Sequence, residues 1–557
     1  MFLTDFIPKS ILCFRTYTLR TFLADVIAGV TVGLVALPLA MAFAISSGLS
    51  PQTGIYTAVV AGFIISAFGG SRVQIGGPTG AFVVVVSSIA TKYGFQGLLI
   101  CTIMAGVILV VLGLTGLGDT IKFIPRPIII GFTNGIALLI ASTQIRDFFG
   151  LRMDSVPSDF LPRMDALAAH FSSLSVTATS VALVALLVLV AIRVLRPQIP
   201  GSIVVLFVAT AVVAFLKLPV ETIGTRFGSI PAGQPPFIVP SIHWANLGGL
   251  LTPALTIAML GAIESLMSAS VADRMIGDTH NPNVELVAQG LANIVAPFFG
   301  GIPATGAIAR TATNIKSGAQ TPVAGMIHAV TLALILLIAA PLASYIPLSV
   351  LAAILLMVAW NMGEWLEIPK LLKLPKADVA IWAITFLLTV FADLSIAVEV
   401  GMIIAALTFI HKVTATTTVT EVTPEDVDEG RVHVLQDKVV PPYVAVFRIH
   451  GPFLFGSTDK IRGIIARLEE LPEIVALRLR NMTAIDGTGL LALEDLARDL
   501  RGAGKVMIVC GAREQPLAMM ENSEFEEIIG RENICENFQH ALRRAEELHT
   551  AHAAPHR

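Results

Sequence analysis

Two stretches of the chain carry residue types that apolar sequence usually excludes, and both could do the same chemistry. "GGPTGAF" covers Gly76 to Phe82, and "GGIPATGAIARTATN" covers Gly300 to Asn314. Each sets a glycine pair and a proline ahead of the same tripeptide, Thr79-Gly80-Ala81 in one and Thr305-Gly306-Ala307 in the other. A helix that begins at such a point offers N–H groups without intrahelical partners and about half a positive charge. Two such starts facing each other would hold an anion on backbone groups alone. Glycines such as Gly77, Gly80 and Gly306 let an anion approach the backbone. Prolines such as Pro78 suit a first turn, where the missing N–H is not needed. Thr79 and Thr305 offer hydroxyl donors, and Arg310, expected further along the second helix, raises the positive potential.

A third stretch, "TIAMLGAIESLMSASVADRM", places Glu264 inside an otherwise apolar run. A charged side chain at a bilayer centre costs at least ~2.5–3.5 kcal/mol on insertion scales, so Glu264 should face a protein interior. Ser268 lies four residues on, on the same helix face. A carboxylate withdrawn from water takes up a proton more readily than a solvated one, which suits a proton-coupling site. Beside an anion it would repel while ionised, so protonation would favour anion binding. A Na⁺ site built from Glu264, Ser268 and half-helix carbonyls is the other reading. Asp393 and Glu399, in "FADLSIAVEVG", read as packing partners or a rim of the last span.

The elements that must position these residues follow from the hydropathy pattern. The chain has 557 residues, 55% hydrophobic and 14% charged, against about 25% charged in soluble domains. That composition indicates an integral membrane protein. The net charge of -3 suggests no nucleic-acid partner. Cys13, Cys101, Cys510 and Cys535 have neither metal-ligand nor disulfide-framework spacing. The first apolar run is expected to be a retained span. Apolar runs bounded by Gly, Pro and charge predict spans near 24–45, 53–68, 77–91, 97–117, 125–147, 177–195 and 201–216. A second set follows near 251–272, 284–299, 304–314, 321–340, 347–361, 377–391 and 393–411. The runs after Gly77 and Pro303 are too short for the ~20 residues of a full crossing and read as half-helices. Seven segments per half send the second half in from the opposite side, so the halves are expected to be inverted repeats. Lys9, Arg15, Arg20, Lys412 and Arg431 place both termini in the cytoplasm. Lys122 with Arg126 agrees, whereas Arg193 with Arg196 is expected on the opposite face.

Together these residues resemble the sulfate permease (SulP) family of anion transporters. The resemblance rests on "GIYTAVVAGFIISAFGGSRVQIGGPTGAFVVVV", "GAIESLMSASVADRM" and "NIVAPFFGGIPATGAIARTATN". The tail segments "VAVFRIHGPFLFGSTDKI" and "RNMTAIDGTGLLALEDLARDL" are similar to the STAS domain that follows the membrane part in that family. It covers nearly the whole chain and is greatest to the bacterial branch that includes a proton-coupled C4-dicarboxylate transporter. The resemblance implies an α-helical polytopic membrane protein with 14 transmembrane segments as 7+7 inverted repeats, forming core and gate domains, and then a small α/β STAS domain. Expected boundaries are 1–411 for the transmembrane domain, 412–438 for a linker and 439–548 for STAS. It further implies elevator-like alternating access and a homodimer in the bacterial inner membrane. The substrate would be a small anion (C4-dicarboxylate, sulfate or a similar oxyanion) moved by proton-coupled symport. Na⁺-coupled bicarbonate symport and uncoupled exchange are the alternatives. The anion would sit at the positions matching Gly77, Pro78, Thr79 and Gly80, and Ala307, Ile308, Ala309 and Arg310. Phe43 matches an aromatic lining the site, and Glu264 matches the acid of the eighth span. Sodium-bicarbonate members have Asp there, and Thr at Ser268. Vertebrate members carry serines at Ala307 and Ala309, so this site would have fewer hydroxyl donors.

The tail alternates apolar strands with amphipathic helices, an α/β pattern. "IDGTGL" should open a helix with Asp486 near its start. Gly487 stands where soluble STAS regulators carry a phosphorylatable serine, so no phospho-switch is expected there. A cytosolic partner of the tail is a possible role. "GAGKV" lacks the upstream glycine and the Ser/Thr of a P-loop, so neither a primary pump nor an enzyme is expected. No cofactor is expected beyond the coupling ion.

Overall fold

A computed structural model describes residues 6–15, 17–118, 125–153, 156–157, 159–196, 200–228, 233, 235–241, 247–392, 394–422 and 440–553. Lys122, Asp393, Arg431 and most of the expected linker lie outside these residues, and the Glu399 side chain is likewise not described. The chain divides into two compact units, Met1–Ile403 and Ile404–Arg557.

In the first unit a short helix α1 (Lys9–Phe14) precedes α2 (Leu19–Ser46), α3 (Pro51–Phe68), α4 (Val83–Leu114), α5 (Arg126–Phe149), α6 (Phe160–Ala169), α7 (Val176–Leu195), α8 (Gly201–Phe215) and α9 (Ile223–Phe227). The second series is α10 (Leu247–Ile276), α11 (Pro282–Val295), α12 (Ile308–Lys316), α13 (Val323–Ala343), α14 (Leu348–Met362), α15 (Ile368–Leu371), α16 (Lys376–Phe391) and α17 (Leu394–Thr416). Gly94 interrupts α4 with φ 71° and ψ 176°, so it is two helices, 83–93 and 95–114. Each of the fourteen apolar runs therefore overlaps a helix. Among the described residues seven helical stretches are long and apolar enough to cross a membrane, two of them, Gly80–Leu114 and Leu348–Leu371, running across more than one element.

Packing repeats between the two series. α2 packs on α13 as α10 packs on α4, α3 on α13 as α11 on α4, and α5 on α16 as α14 on α7. Equivalent elements also meet each other: α3 with α11, and α5 with α14. Strand β1 (Gly76–Gly77) pairs with β2 (Thr305–Gly306), and the pairing is antiparallel. Equivalent strands that lie across a two-fold axis run antiparallel, so the pairing agrees with an inverted repeat. The helices fall into two groups, one built from α2–α4 and α10–α13, the other from α5, α7, α8, α14 and α16. Within the first group, 95–114 and α11 cross at Gly106 and Gly290, where a methyl on either glycine would lie 2.6 Å from the other's carbonyl oxygen. Small residues at such crossings let apolar helices approach without a hydrophobic driving force.

The placement of Arg193 is a correction. Arg193 Nη1 donates to Asn361 Oδ1 in the last turn of α14, and Arg126 pairs with Glu367 just beyond that turn at 3.1 Å. Both arginines therefore lie at the same end of the bundle. Six traversals return the chain to its starting side, so Arg193 reinforces Arg126. Near another helix end, Lys9 binds Asp278 at 3.0 Å. Burial pushes the Asp278 carboxyl up, but the Lys9 ammonium outweighs this and holds it below the usual carboxylate range.

The second unit is a five-stranded sheet in the order β3 (Thr418–Glu421), β4 (Val444–Phe453), β5 (Ile474–Ile485), β6 (Val506–Cys510), β7 (Ile534–Cys535). β3 is antiparallel to β4 and the other pairs are parallel. The described start of the expected linker is thus the end of α17 and an edge strand. The β-branched run "TTTVTEV" explains the strand, since such residues suit a pleated, half-buried surface. Asp486 caps the helix Gly487–Gly502 as expected, Oδ1 accepting from Gly489 N at 2.8 Å and Oδ2 from Phe455 N at 3.0 Å. The four cysteines are free thiols, and burial pushes the Cys510 thiol up to about 12.

Candidate anion site between two half-helices

The first half-helix opens with a 3-10 turn at Gly80–Phe82 and continues to residue 93; the second is α12. Neither has a side-chain cap on its first N–H groups, although Thr18 and Asn281 cap α2 and α11. Extended backbone leads into both, as the Gly and Pro content requires, and it persists through Ala307, so α12 starts later than the sequence suggests. Arg310 is consequently in the first turn of α12 and not further along it. Irregular backbone survives in a membrane only where protein satisfies it. Here the two approaches brace each other. Ala307 N donates to Ile75 O at 2.8 Å, Ile75 N to Thr311 Oγ1 at 3.0 Å, and Asn314 Nδ2 to Val73 O at 2.9 Å. On the other approach, Ile302 N donates to Thr57 Oγ1 at 2.7 Å, and Asn293 binds both the N–H and the C=O of Ala304.

The side chains converge where β1 ends. Arg310 is 2% exposed, and its Nη2 donates to Pro78 O at 2.5 Å. Its Nη1 lies over Gly77, where a methyl would sit 2.7 Å from it, and Gly77 has φ 146°, a conformation that favours glycine. That nitrogen is buried without a hydrogen-bond partner, and among the described residues Arg310 forms no ion pair. An unpaired buried guanidinium nitrogen is costly, so Nη1 calls for an acceptor that the described residues do not supply. On the next residue, Thr79 Oγ1 donates to Glu264 Oε2 at 2.9 Å. A methyl on Gly80 would lie 2.8 Å from Ile140 Cδ1 and 3.2 Å from Phe43 Cε1. Phe43 of α2 and Ile140 of α5 therefore wall the start of the first half-helix. Ile308 and Glu264 are half-buried and Ala309 is exposed.

Not every expected contributor points into the site. The Thr305 hydroxyl donates to Gly261 O at 2.8 Å, docking β2 on α10, and the Thr79 hydroxyl is committed to Glu264. Gly306 packs on Gln74, where a methyl would meet Nε2 at 1.7 Å. The donors left without a side-chain partner are then the first N–H groups of the two half-helices, at Gly80 and Ala81 and at Ile308 and Ala309, and Arg310 Nη1. Ser268 shares a 3.2 Å hydrogen bond with Thr311 and none with Glu264. Glu285, in "NPNVELVAQG", was not singled out from the sequence, although an ionisable residue in an apolar run is the same signal that marked Glu264. It is fully buried on α11.

Comparison with known proteins matches residues 22–385 to the model of the sulfate permease family and residues 436–541 to that of the STAS domain. The Bacillus subtilis (strain 168) protein YvdB, provisionally named a sulfate transporter, is 42% identical over 94% of this chain and 98% of its own. The transmembrane domain of a cyanobacterial bicarbonate transporter, BicA, superposes with TM-score 0.62 at 31% identity, over 70% of this chain and 98% of that one. The murine Slc26a9 anion transporter, in an inward-facing state, shares the fold with TM-score 0.86 at 18% identity, over 98% of this chain and 95% of that one.

Proposed function

The chain belongs to the sulfate permease family and is a multi-pass membrane anion transporter with a C-terminal STAS domain, and we propose that it carries a small oxyanion or C4-dicarboxylate together with a proton. The observation that carries this reading is the adjacency of Arg310 and Glu264 across one peptide unit, Arg310 on Pro78 O and Glu264 on the Thr79 hydroxyl. With Glu264 ionised, a fixed negative charge stands beside the anion-binding groups. With Glu264 protonated, the positive charge of Arg310 and of the two helix starts is left for the substrate. Proton and anion binding are then linked, each raising the affinity for the other.

We take the proton, and not Na⁺, as the coupling ion; that Ser268, the second side chain expected at a Na⁺ site, hydrogen-bonds Thr311 and not Glu264 supports this choice. Backbone N–H groups accept any compact anion, so bicarbonate, named for BicA, belongs on the substrate panel with sulfate and succinate. Transport by elevator-like movement fits the division into two helix groups, with the half-helices in one group and Ile140 and Met362 of the other facing Gly80. We take it to lie in the bacterial inner membrane with both termini cytoplasmic, assembled as a homodimer.

Uptake of each panel anion into proteoliposomes under an imposed pH gradient tests the reading. One anion is expected to accumulate against its own gradient when the outside is acidic, with lumenal acidification. Transport of every accepted anion at a rate indifferent to the pH gradient would overturn proton coupling and leave Na⁺ coupling or uncoupled exchange.

A further inference from the structure

The transport reading assigns no part to Glu285, yet its surroundings are as specifically built as those of Glu264. The carboxylate accepts four hydrogen bonds. Oε2 takes Gly70 N at 3.0 Å and Ser71 N at 3.1 Å; Oε1 takes Gln289 Nε2 at 3.0 Å and Ser265 Oγ at 3.4 Å. One turn earlier on α11, Asn281 N donates to Gly70 O at 3.0 Å. The fit is close enough to exclude side chains: a methyl on Gly70 would lie 2.1 Å from Asn281 O, and one on Gly69 2.9 Å from Glu285 Oε2. This explains the Gly69-Gly70 pair, for which the sequence offers no reason of its own.

Gly70 and Ser71 begin the extended segment that ends at the anion site. Midway along it, Gln74 Nε2 donates to Ser265 O at 3.2 Å and to Ser265 Oγ at 3.1 Å. Ser265 is thus shared between Gln74 and Glu285, and it neighbours Glu264 on α10. A continuous polar chain runs from α11 through α10 to the segment that carries Pro78 and Thr79. On the other approach Ile302 N donates to one hydroxyl of the facing helix α3, Thr57 Oγ1, and Asn293 of α11 holds Ala304. Two successive N–H groups meet one oxygen of Glu285, and a carboxylate is a stronger acceptor for them than a hydroxyl or an amide oxygen.

We propose that Glu285 is the positioning carboxylate of the anion site: it fixes the register of residues 70–77 on α11 and so holds the start of the first half-helix opposite Arg310. The inference rests on the reading of the paired half-helix starts as the anion site. A glutamine at this position keeps the shape but replaces the charged acceptor by a neutral amide, whose NH2 requires Ser265 and Gln289 to turn and accept and whose oxygen holds Gly70 N and Ser71 N less strongly.

The test is transport kinetics of the full chain in proteoliposomes, per folded transporter, for Glu285→Gln, Glu285→Asp, Gly106→Ala and Arg310→Ala. Glu285→Gln should raise KM by roughly tenfold while Vmax stays within about twofold, and Glu285→Asp should give an intermediate KM. Gly106→Ala loosens the α4–α11 crossing without touching the segment, and should lower the folded yield at unchanged KM. If Glu285→Gln behaves like Gly106→Ala, with less folded protein and wild-type KM, Glu285 is merely structural and the inference is overturned. Should Glu285→Gln not fold, the KM of Glu285→Asp decides by the same criterion. A KM raised in Arg310→Ala alone removes the inference and keeps the anion site; a KM unchanged in both removes the anion site itself.

Discussion

Arg310→Ala is expected to raise the KM for anion uptake by roughly 30-fold to several thousand-fold, the effect of about 2–5 kcal/mol lost when one member of a buried charge pair is removed. The guanidinium is almost fully buried, it holds the carbonyl of Pro78, and its other terminal nitrogen has no protein partner. Truncation removes both the charge facing the substrate and the tie between the two half-helix starts. Arg310→Lys should recover only part of the loss. An ammonium carries all its donors on one nitrogen, so it cannot occupy both the position of Nη2 on Pro78 O and that of Nη1 over Gly77 as the planar fork does. Initial rates of labelled-anion uptake across a wide concentration range separate these outcomes. A wild-type KM in Arg310→Ala would mean that the free guanidinium nitrogen faces something other than the substrate.

Glu264→Gln is expected to abolish proton-driven accumulation while leaving exchange of internal for external anion with a KM within about threefold of wild type. Glutamine preserves the volume and still accepts the Thr79 hydroxyl at its carbonyl oxygen, so the geometry around Pro78 and Thr79 is retained. What it loses is the protonation cycle. One pH unit is worth 1.36 kcal/mol per proton, so one-to-one coupling should concentrate the anion about tenfold in the wild type and not at all in the variant. The neutral side chain also resembles protonated Glu264, so the anion affinity of the variant should no longer vary with pH. Accumulation that survives in Glu264→Gln would place the coupling proton on another group.

The half-helices were legible in the sequence because two apolar runs were too short to cross a bilayer and both began at Gly-Pro-Thr-Gly-Ala combinations. Glu264 was legible because a charge in an apolar run must have a reason. The partners of these groups were not. Thr79 meets Glu264 across 185 residues of chain and Thr305 meets Gly261 across 44, and residue type alone does not say whether a threonine hydroxyl will face a ligand or a neighbouring helix. Glu285 carried the same signal as Glu264, but its meaning lies in Gly70 and Ser71, which only the tertiary structure brings to it. The two-residue pairing of β1 with β2 has no periodicity to detect. The start of the tail read as a linker because Thr and Glu are polar, although its β-branched run also suits the edge strand it forms.

The central claim, that the two half-helix starts and Arg310 share one anion, is tested most directly by a structure determined with a transported anion carrying a heavy atom, such as selenate or bromosuccinate. The account predicts a single strong peak within hydrogen-bonding distance of Arg310 Nη1 and of the backbone N–H groups that begin at Gly80 and Ile308. A peak elsewhere in the transmembrane unit, with Arg310 Nη1 still unpartnered, would contradict it.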